Sequence, residues 1–390
     1  MEDVMTVFSR RNVLIGGCVL GAAALGGGYL LSRKKKVPIG FDLSDSELTA
    51  ARDFLKENLA FDSHAHPGRT FVRGATGLAP KLKLYKALGT FEKDAVADMK
   101  AGGMAAACFA LVSDFQVLNL GDHGLATDRD FKPGEAYASY QRQLKNLKSL
   151  ASSGLVQALQ TPDDLARAHQ AGKIGAWFAA EGGDFLEGKP SRVHSAYSDG
   201  LRAITIMHYR TNALGDIMTA PPVHGGLTSA GKDIVQAMND IGMVVDTAHA
   251  SEDTVRGILK ASRAPVLCSH THIKGGHTPE IPRFISADLA REIAAEGGML
   301  GLWPAGLGIT TLSGMVDRAF ELVDLVGADH VCLGTDMDAN YKPVMETYLK
   351  TPWLVGGLLK RGMSKEDTAK LMGGNILRLW RDAIAQGQNS

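Results

Sequence analysis

Apolar residues beyond position 40 fall into short continuous runs that alternate with segments of helical periodicity. Nearly continuous apolar strands are typical of parallel sheets that are covered on both faces. The eight runs are LAFDSHAH (59–66), AAACFALVS (105–113), IGAWFAAEG (174–182), RAITIMHY (202–209), GMVVDTAHA (242–250), APVLCSHTH (264–272), GGMLGLWPA (297–305) and HVCLGTDMDA (330–339). The segments predicted to be helical are Glu92 to Ala101, Gly134 to Ser152, Thr161 to Gln170, Thr228 to Asp240, Ser251 to Ala261, Ser286 to Glu296 and Leu312 to Leu325. Eight strands alternating with helices predict an α/β fold, a (β/α)8 barrel of the TIM type.

Six of these runs begin with apolar residues and end in ionisable side chains. The strand-end residues are His64, His66, Glu181, His208, His249, His270 and Asp336. A single polar residue at such a position usually marks only the entry into a loop. The active sites of TIM-type barrels, however, lie at the C-terminal ends of the strands. Because all seven residues are His, Glu or Asp, we expect them to converge on one functional site.

Imidazoles combined with carboxylates suit zinc or a similar divalent transition metal. In an extended strand His64 and His66 would point to the same side and could bind one ion together. A site for two ions needs about five protein ligands and a shared water. The candidate ligands are His64, His66, Glu181, His249 and His270, with Glu181 as the natural bridge. Bound ions lower the pKa of water from about 15.7 towards neutrality, so the pattern predicts hydrolysis by a metal-bridging hydroxide.

The overall charge narrows the class of partner. The chain has 42 basic and 42 acidic residues and a formal net charge of zero. No basic stripe interrupts the main body, which argues against nucleic acid as a partner. The cysteines Cys108, Cys268 and Cys332 sit in apolar runs without a C-x-x-C motif, so we interpret them as small buried hydrophobic residues.

The N-terminus has a composition of its own. Arg10 and Arg11 precede an uncharged, Gly- and Ala-rich run over residues 13–31, which resembles a twin-arginine export signal. The same run is long enough to act as a membrane anchor, and basic residues 33–36 follow it. We therefore predict a signal or anchor over residues 1–40, a hydrolase barrel over 41–390, and export to the periplasm. Membrane attachment through residues 13–31 remains the alternative.

Four stretches of the chain resemble those of a known family and occur in the family's order. They are GLTSAGKDIVQAMNDIGMVVDTAHAS (226–251), APVLCSHTH (264–272) followed by Arg283, VCLGTDMD (331–338) and LMGGNILRLW (371–380). They look like the renal or membrane dipeptidases, the M19 metallopeptidases of the amidohydrolase superfamily. The resemblance runs from about Ala60 to Asp382 and implies a (β/α)8 barrel with two Zn²⁺ ions that hydrolyses small dipeptides. It leaves a homodimer open.

The resemblance also implies roles for single residues. His64 and the residue two positions later would bind one zinc, His249 and His270 the other, and Glu181 would bridge them. His208 matches a histidine that contacts the substrate and stabilises the oxyanion.

Two further residues complete the implied site. Arg283 matches the arginine that binds the substrate carboxylate, a task that suits its forked guanidinium. Asp336 matches the aspartate that carries the proton to the leaving amine.

Three positions depart from the family pattern. His66 stands where the family usually has aspartate, Asp184 follows Glu181-Gly-Gly where the family has histidine, and Asn212 lies four residues after His208 instead of three. These changes affect the predicted substrate pocket more than the predicted set of metal ligands.

Several alternatives stay open at this point. His272 could replace His270 as a ligand, and Asp338 could replace Asp336, although we prefer the residue that ends each apolar run. Other functions on the same barrel are a lactonase or other amidohydrolase, a TatD-type phosphodiesterase and a non-catalytic binding protein. The neutral charge, Arg283 and the stretch GGNILRLW argue against the phosphodiesterase.

Overall fold

The apolar runs form parallel strands that pair side by side around a barrel. A computed structural model describes residues 36–121, 124–275 and 281–388. The strands are β1 (Ala60–Asp62), β2 (Met104–Val112), β3 (Leu118–Gly121), β4 (Gly124–Thr127), β5 (Gln157–Ala158), β6 (Gly175–Glu181), β7 (Ala203–Thr205), β8 (Val244–Asp246), β9 (Leu267–Thr271), β10 (Met299–Leu302) and β11 (Val331–Leu333). The main sheet has the order β1-β2-β6-β7-β8-β9-β10-β11, with β5 paired to β6. Seven of its eight main strands lie within predicted runs, and β2 begins one residue before its run, at Met104.

Backbone hydrogen bonds join the first and last strands of this sheet just beyond their ends. The Ser63 N–H donates to the Leu333 carbonyl at 2.8 Å, and the Asp336 N–H donates to the His64 carbonyl at 2.8 Å. The sheet therefore closes into a nearly complete ring, and the predicted (β/α)8 barrel is confirmed.

Helices surround the ring. They are α1 (Asp45–Glu57), α2 (Pro80–Ala87), α3 (Glu92–Ala101), α4 (Glu135–Ser152), α5 (Asp163–Gln170), α6 (Pro190–Ser198), α7 (Ser229–Asp240), α8 (Glu252–Ala261), α9 (Ala287–Ala295), α10 (Leu312–Val326), α11 (Thr351–Lys360), α12 (Lys365–Ala369) and α13 (Asn375–Gln388). All seven predicted helices are present, and the side chains of Thr228, Ser251 and Ser286 cap the N-termini of α7, α8 and α9. The antiparallel hairpin β3–β4 and the helices α1, α2, α6 and α11–α13 were not predicted.

Aromatic side chains fill the N-terminal end of the barrel. The ring of Trp177 on β6 lies 5.8 Å from Phe61 on β1 and 5.6 Å from Trp380 on α13. All three side chains are fully buried. Since Trp177 precedes Glu181 by four residues on β6, the same strand carries the apolar plug at one end and a charged group at the other.

Two predictions about other parts of the chain have different outcomes. Cys108, Cys268 and Cys332 are buried free thiols, as expected. The predicted signal or anchor lies mostly outside the described residues and stays a prediction. Within 36–121, 124–275 and 281–388, no helix is long and apolar enough to cross a membrane.

Candidate metal centre

The seven predicted strand-end residues lie together at the C-terminal end of the barrel. Glu181 is the last residue of β6 and His270 lies within β9, while the others follow the ends of their strands. His64 and His66 come after β1 and not within it, because β1 ends at Asp62. A regular strand therefore does not bring the two side chains to the same side, yet both imidazoles reach the same carboxylate.

Glu181 lies at the centre of five imidazoles. Its Oε1 lies 3.3 Å from His64 Nε2, 3.0 Å from His249 Nε2 and 3.5 Å from His270 Nε2. Its Oε2 lies 3.1 Å from His66 Nε2 and 3.3 Å from His208 Nε2. Each carboxylate oxygen thus faces its own set of nitrogen donors, as a bridging carboxylate requires.

Two groups of side chains have ligand atoms that all lie within 4.8 Å of one another. The first group is His64, Glu181, His270 and Asp336, and the second is Glu181, His208 and His249. Glu181 belongs to both, which agrees with its predicted bridging position. The partition differs from the pairs that the family resemblance implies, so the division of ligands between two ions stays a prediction.

The donor atoms suit a divalent cation. His66 Nδ1 lies 3.0 Å from the Ala110 carbonyl and donates to it, so the lone pair of His66 is on Nε2. Nε2 of His64 and of His66 is buried and has no hydrogen-bond partner among the described residues. Nε2 atoms of His249 and His270 lie only 2.9 Å apart. Five imidazole nitrogens that converge on one carboxylate, two of them without a hydrogen-bond partner in the described parts of the chain, fit a metal site.

The ionisable side chains of the cluster differ in the direction of their pKa shifts. Burial holds the pKa of His249 and of His270 well below the usual value, and the nearby positive charges of Arg283 and His64 add to this effect. Both imidazoles are therefore neutral, the form that binds a metal, whereas Glu181, against the effect of burial, raises the pKa of His64 to about 9, so His64 would lose a proton on binding an ion. Although burial favours its neutral form, His208 and His64 hold the pKa of Glu181 well below its usual range. Glu181 is therefore an anion at the centre of the site.

Asp336 lies beside this anion. Its Oδ1 is 3.5 Å from His66 Nε2. Burial and the charge of Glu181 raise its pKa to about 6. The rival Asp338 points elsewhere, because its Oδ2 accepts the backbone N–H of Gly68 at 2.8 Å. The geometry therefore favours Asp336 as the carboxyl group that can exchange a proton near neutral pH.

His272 lies outside the cluster. Its imidazole is buried, packs edge-on against Phe284 and has its Nε2 3.8 Å from Glu321 on α10. It therefore faces the surrounding helices, whereas His270 faces Glu181.

Arg283 forms one wall of the site. Its guanidinium carbon lies 5.0 Å above the ring of Trp303, and Nη2 is 3.3 Å from His249 Nε2. Nη1 donates to the sulfur of Met218 at 2.9 Å, which is a weak acceptor. Nε is buried and has no hydrogen-bond partner in the described parts of the chain. The guanidinium thus keeps donors available for an anion beside the metal cluster.

Three buried carboxylates near the site were not predicted from the sequence. Asp246 at the end of β8 accepts hydrogen bonds from Thr205 at 2.6 Å and from the Ser269 hydroxyl at 2.7 Å. Asp62 at the end of β1 accepts the hydroxyl of Tyr348 at 2.7 Å. Both carboxylates bond to neighbouring strand ends and so fix the rim of the barrel.

Asp114 is the third missed carboxylate. It is fully buried, and its Oδ1 lies 2.5 Å from His208 Nδ1. A sequence signal was present, because Asp114 directly follows the second apolar run, which otherwise supplied no ionisable strand-end residue.

Comparison with known proteins places the chain in a family. The family model for membrane dipeptidase, peptidase family M19, matches residues 48–390. The chain is similar to the dipeptidase tcpJ of Claviceps purpurea, with 30% identity over 267 residues, 65% of this chain and 63% of that protein. The matched part is thus less than two thirds of that relative's length.

Solved structures share the fold. The probable dipeptidase PvdM of Pseudomonas aeruginosa has a TM-score of 0.72 at 19% identity, covering 88% of this chain and 100% of that one. A metallopeptidase of Rhodobacter sphaeroides, solved with a phosphinate mimic of the dipeptide L-Ala-D-Ala, has a TM-score of 0.68 at 18% identity, covering 84% of this chain and 99% of that one. The match of the family model over residues 48–390 shows that the chain belongs to the membrane dipeptidase family, peptidase family M19.

Proposed function

We propose that the protein is a binuclear zinc dipeptidase that cleaves the amide bond of a dipeptide with a free C-terminal carboxylate. One observation carries this proposal. The two oxygens of a single buried carboxylate, Glu181, face five imidazoles. The guanidinium of Arg283 lies beside them, and its Nε has no hydrogen-bond partner among the described residues. Family membership supports the same reaction class.

The proposed metal ligands are those expected from the sequence. They are His64, His66, Glu181, His249 and His270. Two divalent ions held there would supply an acidified water as the nucleophile and positive charge for the developing oxyanion.

Arg283 would orient the substrate. A carboxylate can accept two parallel hydrogen bonds from a guanidinium, and the guanidinium carbon of Arg283 already lies 5.0 Å from the centre of the Trp303 ring. A substrate bound in this way has its C-terminal end fixed next to His249, so its amide lies towards Glu181. A free carboxylate close to the scissile bond is what distinguishes a dipeptide from a longer peptide.

His208 and Asp336 would handle the charge and the proton. His208 Nε2 faces Glu181 Oε2 and can donate to the oxygen on which negative charge develops. Burial opposes protonation of His208, but Asp114 and Glu181 raise its pKa to about 9. Asp336, with a pKa of about 6, can take a proton and pass it to the leaving amine.

A substrate panel tests the proposal. Zinc-loaded protein is offered dipeptides with a free carboxylate, the same dipeptides as C-terminal amides, a nitrophenyl phosphodiester and a lactone. We expect turnover of the free-acid dipeptides and at least tenfold slower turnover of the amides, because Arg283 loses a charged partner. Cleavage of only the phosphodiester or only the lactone would replace the proposal with the corresponding rival. No turnover at full metal content would favour a binding protein.

We also propose that the protein reaches the periplasm by twin-arginine export. Arg10 and Arg11 with the run 13–31 support it. That route carries folded proteins, so the metal could be bound before export. Substituting both arginines by lysine and locating the protein by fractionation tests this, and unchanged periplasmic recovery would contradict it.

A further inference from the structure

We infer that Asp114 is a positioning residue for His208, holding its Nδ1 so that only Nε2 faces Glu181 and the reacting groups. The inference rests on the proposed function, in which His208 contacts the substrate. It adds a residue that precedes β3 and lies far from His208 in the chain.

The contact between Asp114 and His208 is short and buried. Asp114 Oδ1 lies 2.5 Å from His208 Nδ1, and both side chains are buried. The other oxygen, Oδ2, accepts the backbone N–H of Tyr209 at 3.0 Å. The carboxylate thus binds both the imidazole and the peptide unit next to it, which fixes the rotation of the ring.

A second ion pair holds the far end of the same segment. Arg210 donates to Asp184 Oδ1 at 3.1 Å and to Asp130 Oδ1 at 2.7 Å. Asp184 stands where the family pattern has histidine. The ion pair between Arg210 and Asp184 therefore involves one of the three positions at which this chain departs from that pattern. Residues 208–210 are therefore restrained by carboxylates on both sides.

The contact with Asp114 determines which nitrogen of His208 faces the site. With Nδ1 committed to Asp114, the second ring nitrogen of His208 is left 3.3 Å from Glu181 Oε2. An imidazole free to rotate would spend part of its time with the wrong nitrogen, or no nitrogen, towards the substrate. Orientation of a reacting group within a fraction of an ångström contributes strongly to rate.

A double-mutant cycle tests whether Asp114 acts through His208. We expect Asp114→Asn to lower kcat by about 10- to 100-fold, with KM and bound metal unchanged. On a His208→Gln background the same substitution should cause no further loss. Losses that multiply in the double mutant, or a fall in metal content that accounts for the effect, would overturn the inference. Asp199→Asn is the matched control, because Asp199 accepts from Tyr140 and Lys148 far from the centre and should leave kcat unchanged.

Proton NMR of the metal-free and zinc-loaded protein gives a readout that needs no turnover. A proton in so short a nitrogen–carboxylate bond resonates far downfield, and we expect one such signal to be lost in both Asp114→Asn and His208→Gln. A signal that survives in Asp114→Asn, or that is absent from the wild type, overturns the inference. If the wild type shows the signal but cleaves no dipeptide, the proposed function fails while the positioning contact stands.

Discussion

At the scale of single residues, the site depends on backbone conformations that local sequence does not reveal. His249 and Asp336 have φ values of +67° and +55°, in the left-handed region that non-glycine residues rarely adopt. Such conformations occur at functional sites because the surrounding fold holds them in place. Here they lie three residues beyond the ends of β8 and β11, and both side chains reach the Glu181 cluster. The identity of the site residues could therefore be predicted, but their orientation could not.

His66 is the residue at which the metal preference can be tested. His66→Asp replaces a neutral nitrogen donor by a charged oxygen donor, which favours harder ions. We expect two metal equivalents to bind still, with the affinity for Mn²⁺ relative to Zn²⁺ rising about tenfold. Competition titrations followed by metal analysis measure the ratio.

The control is the exposed His194, whose Nδ1 lies 3.2 Å from the Pro190 carbonyl. His194→Asp should leave the ratio unchanged. An unchanged ratio in His66→Asp as well would show that His66 is not a ligand.

At the scale of elements, most barrel strands connect an apolar end to an ionisable end. On β6, Trp177 packs against Trp380 of the C-terminal helix α13, and Glu181 reaches the histidine cluster. The helix thus closes the end of the barrel that carries no chemistry. Its contribution should be mainly to stability and not to the reaction.

Removing the aromatic plug tests this division. Trp380→Ala leaves a cavity among fully buried side chains and should lower the free energy of unfolding by about 3–5 kcal/mol, with kcat within about twofold of the wild type. Urea unfolding measures the loss. Trp353→Ala on α11 is the control, because Trp353 is only partly buried and should cost less. A larger loss in Trp353→Ala would contradict the assignment of the plug.

The loop after β6 gives a pH-dependent prediction. Burial and the nearby Asp114 raise the pKa of Asp184 from its ordinary value of 3.8 to about 6. The folded protein therefore binds this proton more tightly than the unfolded chain does. The stability that this contributes is present below about pH 4 and is lost as the pH rises through 6.

Asp184→Asn removes that ionisation. The melting temperature of metal-free Asp184→Asn, relative to the wild type, should therefore rise by about 3 °C between pH 4 and pH 7. Asp288→Asn, at an exposed position on α9, should show no such trend. A relative melting temperature that falls over this range would mean that the ion pair with Arg210 outweighs the cost of burial.

At the scale of the whole molecule, the barrel was the most predictable feature. Parallel strands covered on both sides must be nearly continuous in apolar residues, so all eight could be recognised, and side-chain caps such as Thr228 marked helix starts. The helix α11 escaped prediction because its sequence, TPWLVGGLLK, is apolar on most sides and contains two glycines. The hairpin β3–β4 escaped prediction because each strand has only four residues and most of them are half-buried or exposed. Asp114 escaped because its role depends on a contact with a residue distant in sequence.

The central claim is that two bound ions at the Glu181 cluster hydrolyse dipeptides. The most direct measurement is a titration of metal-free protein with Zn²⁺, following dipeptide turnover and bound zinc in the same samples. The account predicts that turnover rises to its maximum at two equivalents per chain and that Glu181→Gln, which weakens the bridge, binds less zinc and loses turnover. Full turnover at one equivalent, or no dipeptide turnover with two equivalents bound, would contradict it.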